Sequence, residues 1–154
     1  MNNISYPSPQ VPATRAFTLT APDGWEVDSF PGAILVVAEP VSDGFRANVL
    51  VDATRVGADT SLDTISVDDD PGEPILQDEQ LTLDGVPARL IVRGMNSESW
   101  PKPLVRWQMI TVAETSNPAL RDLFMITATC EADDGAGYAE VFEPIFGSFT
   151  FVPD

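Results

Sequence analysis

Arg89, Ile91 and Arg93 alternate along one short stretch of the chain, and Arg106, Gln108 and Ile110 alternate along another. Alternation by two sends side chains to the same face of an extended strand. If residues 88–94 pair with residues 104–113, three of the chain's seven arginines meet on one face beside Gln108, Ile91 and Ile110. Guanidinium groups hold carboxylates through paired hydrogen bonds, and the isoleucines would add apolar contact. Arg89, Arg93, Arg106, Gln108 and Ile110 are therefore the expected partner-binding residues. The competing reading is that they form the solvated side of an antiparallel sheet, which commonly has one wet face.

Other chemistries lack their residues. The sequence has no histidine and one cysteine, Cys130. A serine or cysteine nucleophile has no histidine base here, a zinc site can draw on no imidazole, and no disulfide can form within the chain. Neither a G-x-S-x-G elbow nor a glycine-rich phosphate loop occurs. Asp68-Asp69-Asp70-Pro71-Gly72 fails the EF-hand spacing, because Gly72 stands where a third ligand belongs and no Glu closes the loop. It reads as a solvated turn. Abundant carboxylates leave one catalytic option, an acid–base pair, which a buried pair in a deep pocket would support. No catalytic residue, cofactor or metal ligand is expected.

The 154 residues suit one domain, and 44% hydrophobic residues are enough to build its core. Eight Lys and Arg stand against 24 Asp and Glu, a formal net charge of −16. That field opposes nucleic acid and anionic bilayers and favours encounter with a basic protein. The opening MNNISYPSPQVPATRAF holds no basic segment followed by an apolar one, and no run approaches the length of a membrane span. A start at Met1 implies the cytosol, where a lone cysteine stays reduced.

Residues 1–15, with Pro7, Pro9 and Pro12, read as an extended, dispensable arm, and residues 16–152 as one domain. Strand-like stretches follow at 16–20, 33–39 and 48–56. A short helix is predicted between Asp59 and Asp70, with Leu62 and Ile65 on one face. Residues 80–83 and 88–94 flank Asp84-Gly85, a strong hairpin signal. Strands at 104–113 and 123–131 come next, with a single helical turn at Asn117-Pro118 between them. Tyr138, Val141, Phe142, Ile145 and Phe146 form an apolar helical stripe that Pro144 interrupts, requiring a kink or a late start. Ser148 to Phe151 closes the chain as a strand. Runs of strands joined by hairpins argue for an α+β fold: a twisted antiparallel sheet of about six or seven strands, with the short middle helix and the C-terminal helix packed on it.

Several segments resemble a known family. Phe17-Thr18-Leu19-Thr20-Ala21-Pro22-Asp23-Gly24-Trp25 is similar to the strand, Pro-x-Gly-Trp turn and strand that begin PsbP-like domains. Phe45 to Val51 resembles their Asn-led strand, and Asp84 to Arg89 their Gly-x-Pro-Ala-Arg hairpin. Gln108 falls where the next strand often carries Gln, and Phe142 to Phe151 resembles the closing helix and Ser-Phe-x-Phe strand. Within the superfamily the likeness is to LpqN-type and DcrB-like bacterial proteins. LpqN-type members are typically envelope lipoproteins, whereas this chain shows no lipid-attachment cysteine.

The resemblance implies binding of other proteins without a shared catalytic set. Relatives assist photosystem assembly, bind a small GTPase, or chaperone hydrophobic segments of secreted effectors. It also implies architectural roles for Trp25, Gly24, Gly85, Phe149 and Phe151. The leading expectation is a non-enzymatic adaptor or chaperone-like module, monomeric or homodimeric, whose partner is basic or exposes a hydrophobic segment. The alternative is an acidic, immunity-like inhibitor of a basic toxin, and the third is an enzyme using a carboxylate pair.

Overall fold

A computed structural model describes residues 2–65 and 70–153. The elements are β1 (Phe17–Thr18), β2 (Glu26–Asp28), β3 (Leu35–Ala38), β4 (Asn48–Gly57), β5 (Ile75–Leu83), β6 (Val86–Ser97), β7 (Trp100–Glu114), β8 (Leu120–Glu131), α1 (Gly135–Ser148) and β9 (Thr150–Phe151). Seven strands form one antiparallel sheet in the order β2-β3-β4-β8-β7-β6-β5, and β1 pairs with β9 in a separate two-stranded sheet. The topology is two meanders. β2, β3 and β4 build one edge, the chain crosses to the far edge, and β5 to β8 return until β8 lies against β4. Among the described residues no helix is long and apolar enough to cross a membrane.

The Asp84-Gly85 hairpin forms as its residues predict. Asp84 and Gly85 have φ of 51° and 75°, the left-handed values a two-residue turn needs to match strand twist. The Asp84 carboxylate also accepts the Phe151 N–H at 3.0 Å, tying this turn to the last strand.

One face of the sheet carries the core. Val49, Val51, Met109, Phe124, Ile126, Ala128 and Cys130 point at Phe142, Ile145 and Phe146 of α1, all buried. At one end Phe17 stacks on Phe149 at 5.0 Å, while Phe124 and Phe151 meet edge to face at 5.3 Å. Trp107 is half-buried against Phe142, centroids 5.1 Å apart, and Trp25 packs on the rim of the core. The helix runs through Pro144 from Gly135 to Ser148. Pro144 and Glu140 both lie on its exposed side, so the carbonyl that loses its amide partner faces water.

The predicted middle helix is not formed in the described residues. A single 3-10 turn, Leu62–Thr64, stands there. None of its residues is buried, so no packed apolar face offsets the cost of extending it. Residues 66–69 of that prediction lie outside the described residues, as do Asp68 and Asp69 of the acidic triplet. Asp70 accepts the Gly72 N–H at 2.8 Å in a turn. Asn117-Pro118 is also a turn, with Asn117 Oδ1 accepting the Ala119 N–H.

The arm is extended, but its second half is held. Pro12 is buried, and its carbonyl accepts from Arg55 at 2.8 Å. The Arg15 N–H donates to Asp122 at 3.0 Å, and its guanidinium lies over the Phe151 ring.

Candidate functional site

β6 and β7 pair in the register that brings the five expected residues together. Arg89 stands opposite Ile110, Ile91 opposite Gln108, and Arg93 opposite Arg106. Cross-strand partners share a face, and this face is the one turned away from α1. Met125, Thr127 and Thr129 of β8 continue it on one side and Gln80 and Asp78 of β5 on the other.

The five residues are not equally available. Arg93 and Ile110 are only 6% and 4% exposed. Arg89, Arg106 and Gln108 are half-buried and reach the surface. Arg89 grips Asp78 with two bonds, Nε to Oδ1 at 2.9 Å and Nη2 to Oδ2 at 2.7 Å. That hydrogen-bonded pair holds the Asp78 carboxyl below the usual carboxylate range and raises Arg89. Arg93 donates to the Glu73 carbonyl at 3.1 Å. Arg106 meets the Glu73 carboxylate at 3.7 Å, too long for a hydrogen bond, and its Nε has no partner. Gln108 donates to the Met125 sulfur at 3.2 Å. The arginine face is thus neutralised locally, tightly at Arg89 and loosely at Arg106.

Two arrangements carry no sequence motif. On the core face, Asp122 is 1% exposed and takes Arg55 Nε at 2.7 Å, its direct cross-strand neighbour. The available signal was the alternation of Asp122 with Phe124, Ile126, Ala128 and Cys130, which puts a carboxylate at an inward position. Beside α1, the Tyr138 hydroxyl lies 2.7 Å from both oxygens of Glu39. Burial, and then that hydrogen bond, raise the Tyr138 pKa. Burial, with Asp134, Glu39 and Glu131 nearby, pushes the Cys130 thiol up to about 12. A thiol so placed stays protonated and is a poor nucleophile.

Asp52, on the open face, has a raised pKa caused by burial alone, with no second carboxylate contributing. Among the described residues no group of acidic or cysteine side chains is placed to hold a metal ion.

Two hollows flank these faces. A groove of about 310 Å³ runs between α1 and the β5–β6 edge over Leu90, Trp107 and Phe142. A larger cleft of about 840 Å³ lies at the end of the sheet, between the β5–β6 hairpin, the ends of β7 and β8 and the 3-10 turn. Leu62, Val86, Val112 and Phe151 line it together with Arg15 and Arg121.

Neither a family model nor a curated protein sequence matches the chain. Solved structures do match it. The crystal structure of LpqN, involved in cell envelope biogenesis of Mycobacterium tuberculosis, superposes with a TM-score of 0.70 at 16% identity, covering 92% of this chain and 86% of that one. The solution structure of cyanobacterial PsbP (CyanoP) from Synechocystis sp. PCC 6803 gives 0.57 at 15% identity, covering 88% and 86%. A Bacteroides thetaiotaomicron VPI-5482 structure gives 0.59 at 15% identity over 90% of this chain but 46% of its own. The chain has the PsbP-like α+β fold, with LpqN among its structural neighbours.

Proposed function

We propose that the protein is a non-enzymatic binding module that presents the open face of its sheet to another protein. The observation that carries this reading is that Arg89, Gln108 and Arg106 share one face of β6 and β7, with Gln108 between the two arginines, in a chain poor in cations. Arg106, held by one long contact, is the group most ready to exchange Glu73 for a partner's carboxylate. Arg93 and Ile110 stand beside them on the same face, nearly buried. The reading places the protein in the cytosol as a monomer or homodimer, acting as an adaptor or chaperone-like accessory.

The test is affinity capture from the native cell extract with the unmodified chain and with the Arg89→Ala/Arg106→Ala double variant. A partner retained by the first should bind the folded variant more weakly by about 1–3 kcal/mol. Equal affinity in the folded variant would remove this face from consideration.

A second reading, an inhibitor of a basic toxin, rests on charge. Only Glu26, Asp28, Glu73, Asp78, Asp122 and Glu131 enter ion pairs among the described residues, out of 24 acidic residues in the chain. Association in that case would slow steeply as salt shortens the Debye length, and the arginine substitutions would leave it unchanged.

A further inference from the structure

The helix α1 has two flanks of different chemistry. Ala139, Phe142, Glu143 and Phe146, spaced three and four apart, form the flank that borders the groove of about 310 Å³ beside the β5–β6 edge. α1 packs on β8, with β7 and β6 lying between β8 and β5. Leu81, Leu90 and Trp107 are consequently left half-buried along the groove.

The strand register builds the opposite wall. Leu81 stands opposite Ala88, and Glu79 stands opposite Leu90, which is itself opposite Met109. Cross-strand partners share a face, and Ala88 and Met109 are core residues, so Glu79 and Leu81 lie on the α1 side of the sheet. Glu79 from the strand and Glu143 from the helix therefore border one groove from its two walls.

The charge of this groove has a single sign. Glu79 and Glu143 are exposed, and neither enters an ion pair among the described residues. No Lys or Arg lines the groove, and its other polar residues, Gln77 and Thr82, are uncharged. An anion would meet two carboxylates and the protein's net charge of −16, whereas a cation would be attracted by all of them. The apolar floor offers nothing to a second charge and takes an apolar body. The volume lies at the lower end of small-molecule sites, which suits one ring on a short stem.

We propose that this groove binds a small organic monocation, a protonated amine on a compact apolar body, with the ammonium at the rim between Glu79 and Glu143. The groove lies on the opposite side of the sheet from Arg89 and Arg106, so the proposal does not rest on the protein-binding reading.

The probe is 2-phenylethylamine, protonated at pH 7, compared with the neutral 2-phenylethanol. Each is titrated into the isotopically labelled full chain and followed by amide chemical shifts. The amine should shift the amides of Leu81, Leu90, Ala139 and Gly147 saturably, and the alcohol should bind at least about fivefold more weakly. Glu79→Gln and Glu143→Gln should each weaken amine binding about threefold, and the double variant about tenfold, as expected for solvent-exposed ion pairs. Glu98→Gln, in the β6–β7 hairpin, should leave it unchanged. Equal binding of the alcohol, no saturable shift at these amides up to about 20 mM amine, or full affinity in the folded double variant would overturn the proposal. A loss in Glu98→Gln as large as that in Glu79→Gln would overturn it too, because it would reduce the effect to the protein's overall charge. The comparison of amine with alcohol uses the unmodified chain, so it decides the matter even if a variant fails to fold.

Discussion

Arg55 and Asp122 face each other directly across the β4–β8 ladder and are joined by a 2.7 Å hydrogen bond at the end of the core. The pair links the two meanders, since β4 ends one and β8 the other. Asp122 is 1% exposed and also takes the Arg15 N–H, so its carboxylate is hydrogen-bonded from two sides. Arg55 is more exposed and reaches on to the Pro12 carbonyl.

Breaking this pair on one side leaves a charge without its partner. Asp122→Ala should destabilise the protein by about 3–5 kcal/mol in urea unfolding. The double variant Arg55→Met/Asp122→Leu should lose markedly less, because it removes both charges and keeps apolar volume. A double variant as unstable as Asp122→Ala would show that the backbone bond to Arg15 matters more than the ion pair.

The arm should divide into two parts of different consequence. Deleting residues 1–9 should leave the urea midpoint almost unchanged. Deleting residues 1–14 should cost roughly 1–2 kcal/mol, since it removes the Pro12 acceptor of Arg55 and uncovers that end of the core. Identical midpoints for the two deletions would mean that water replaces the arm without loss.

Stability should fall in alkali. Cys130 and Tyr138 are neutral acids whose folded-state pKa values are raised above their ordinary values of 9.0 and 10.0. The folded state therefore favours their protonated forms, and that contribution is complete below about pH 9 and lost as pH climbs towards 12. Urea midpoints taken at pH 7, 9 and 10.5 should decline over the last step. Cys130→Ala should decline less over the same step, and native Cys130 should resist thiol reagents at pH 8.

Moderate salt should stabilise the fold. A net charge of −16 repels itself more in the compact state than in an expanded chain, and added ions screen that repulsion. The urea midpoint should rise between low and physiological ionic strength. A midpoint that drops instead would assign the larger electrostatic share to local pairs such as Arg89–Asp78.

The sheet was legible wherever local chemistry and pleat periodicity agreed. Asp84-Gly85 supplied the turn, and the alternation through Arg89, Arg93, Arg106 and Gln108 supplied the shared face, given that the two strands pair; the register is a finding of the structure. The last helix was legible from its apolar stripe, with Pro144 tolerated because it faces solvent. β2 was implied by the resemblance after the Gly24-Trp25 turn and not by periodicity, because Glu26, Val27 and Asp28 are all exposed at an edge and burial left no pattern there. Of the helix expected between Asp59 and Asp70, the described residues form only the 3-10 turn Leu62–Thr64, whose residues are at most half-buried. The neutralisation of the arginine face by Asp78 and Glu73 could not be read, since it depends on which edge strand and which connecting segment fold over it.

The pairing of Phe17 with Phe151 bears on when the domain can form during synthesis. β1 leaves the ribosome first among the strands, and its strand partner among the described residues, β9, follows all the others. β4 likewise waits for β8, so the hairpin meander of β5 to β8 is the largest unit able to assemble early. Until α1 and β9 emerge, the apolar side of that meander stays uncovered, and Phe17 has no Phe149 to stack on. Closure of the core therefore waits for α1 and β9, which follow all the sheet strands in chain order.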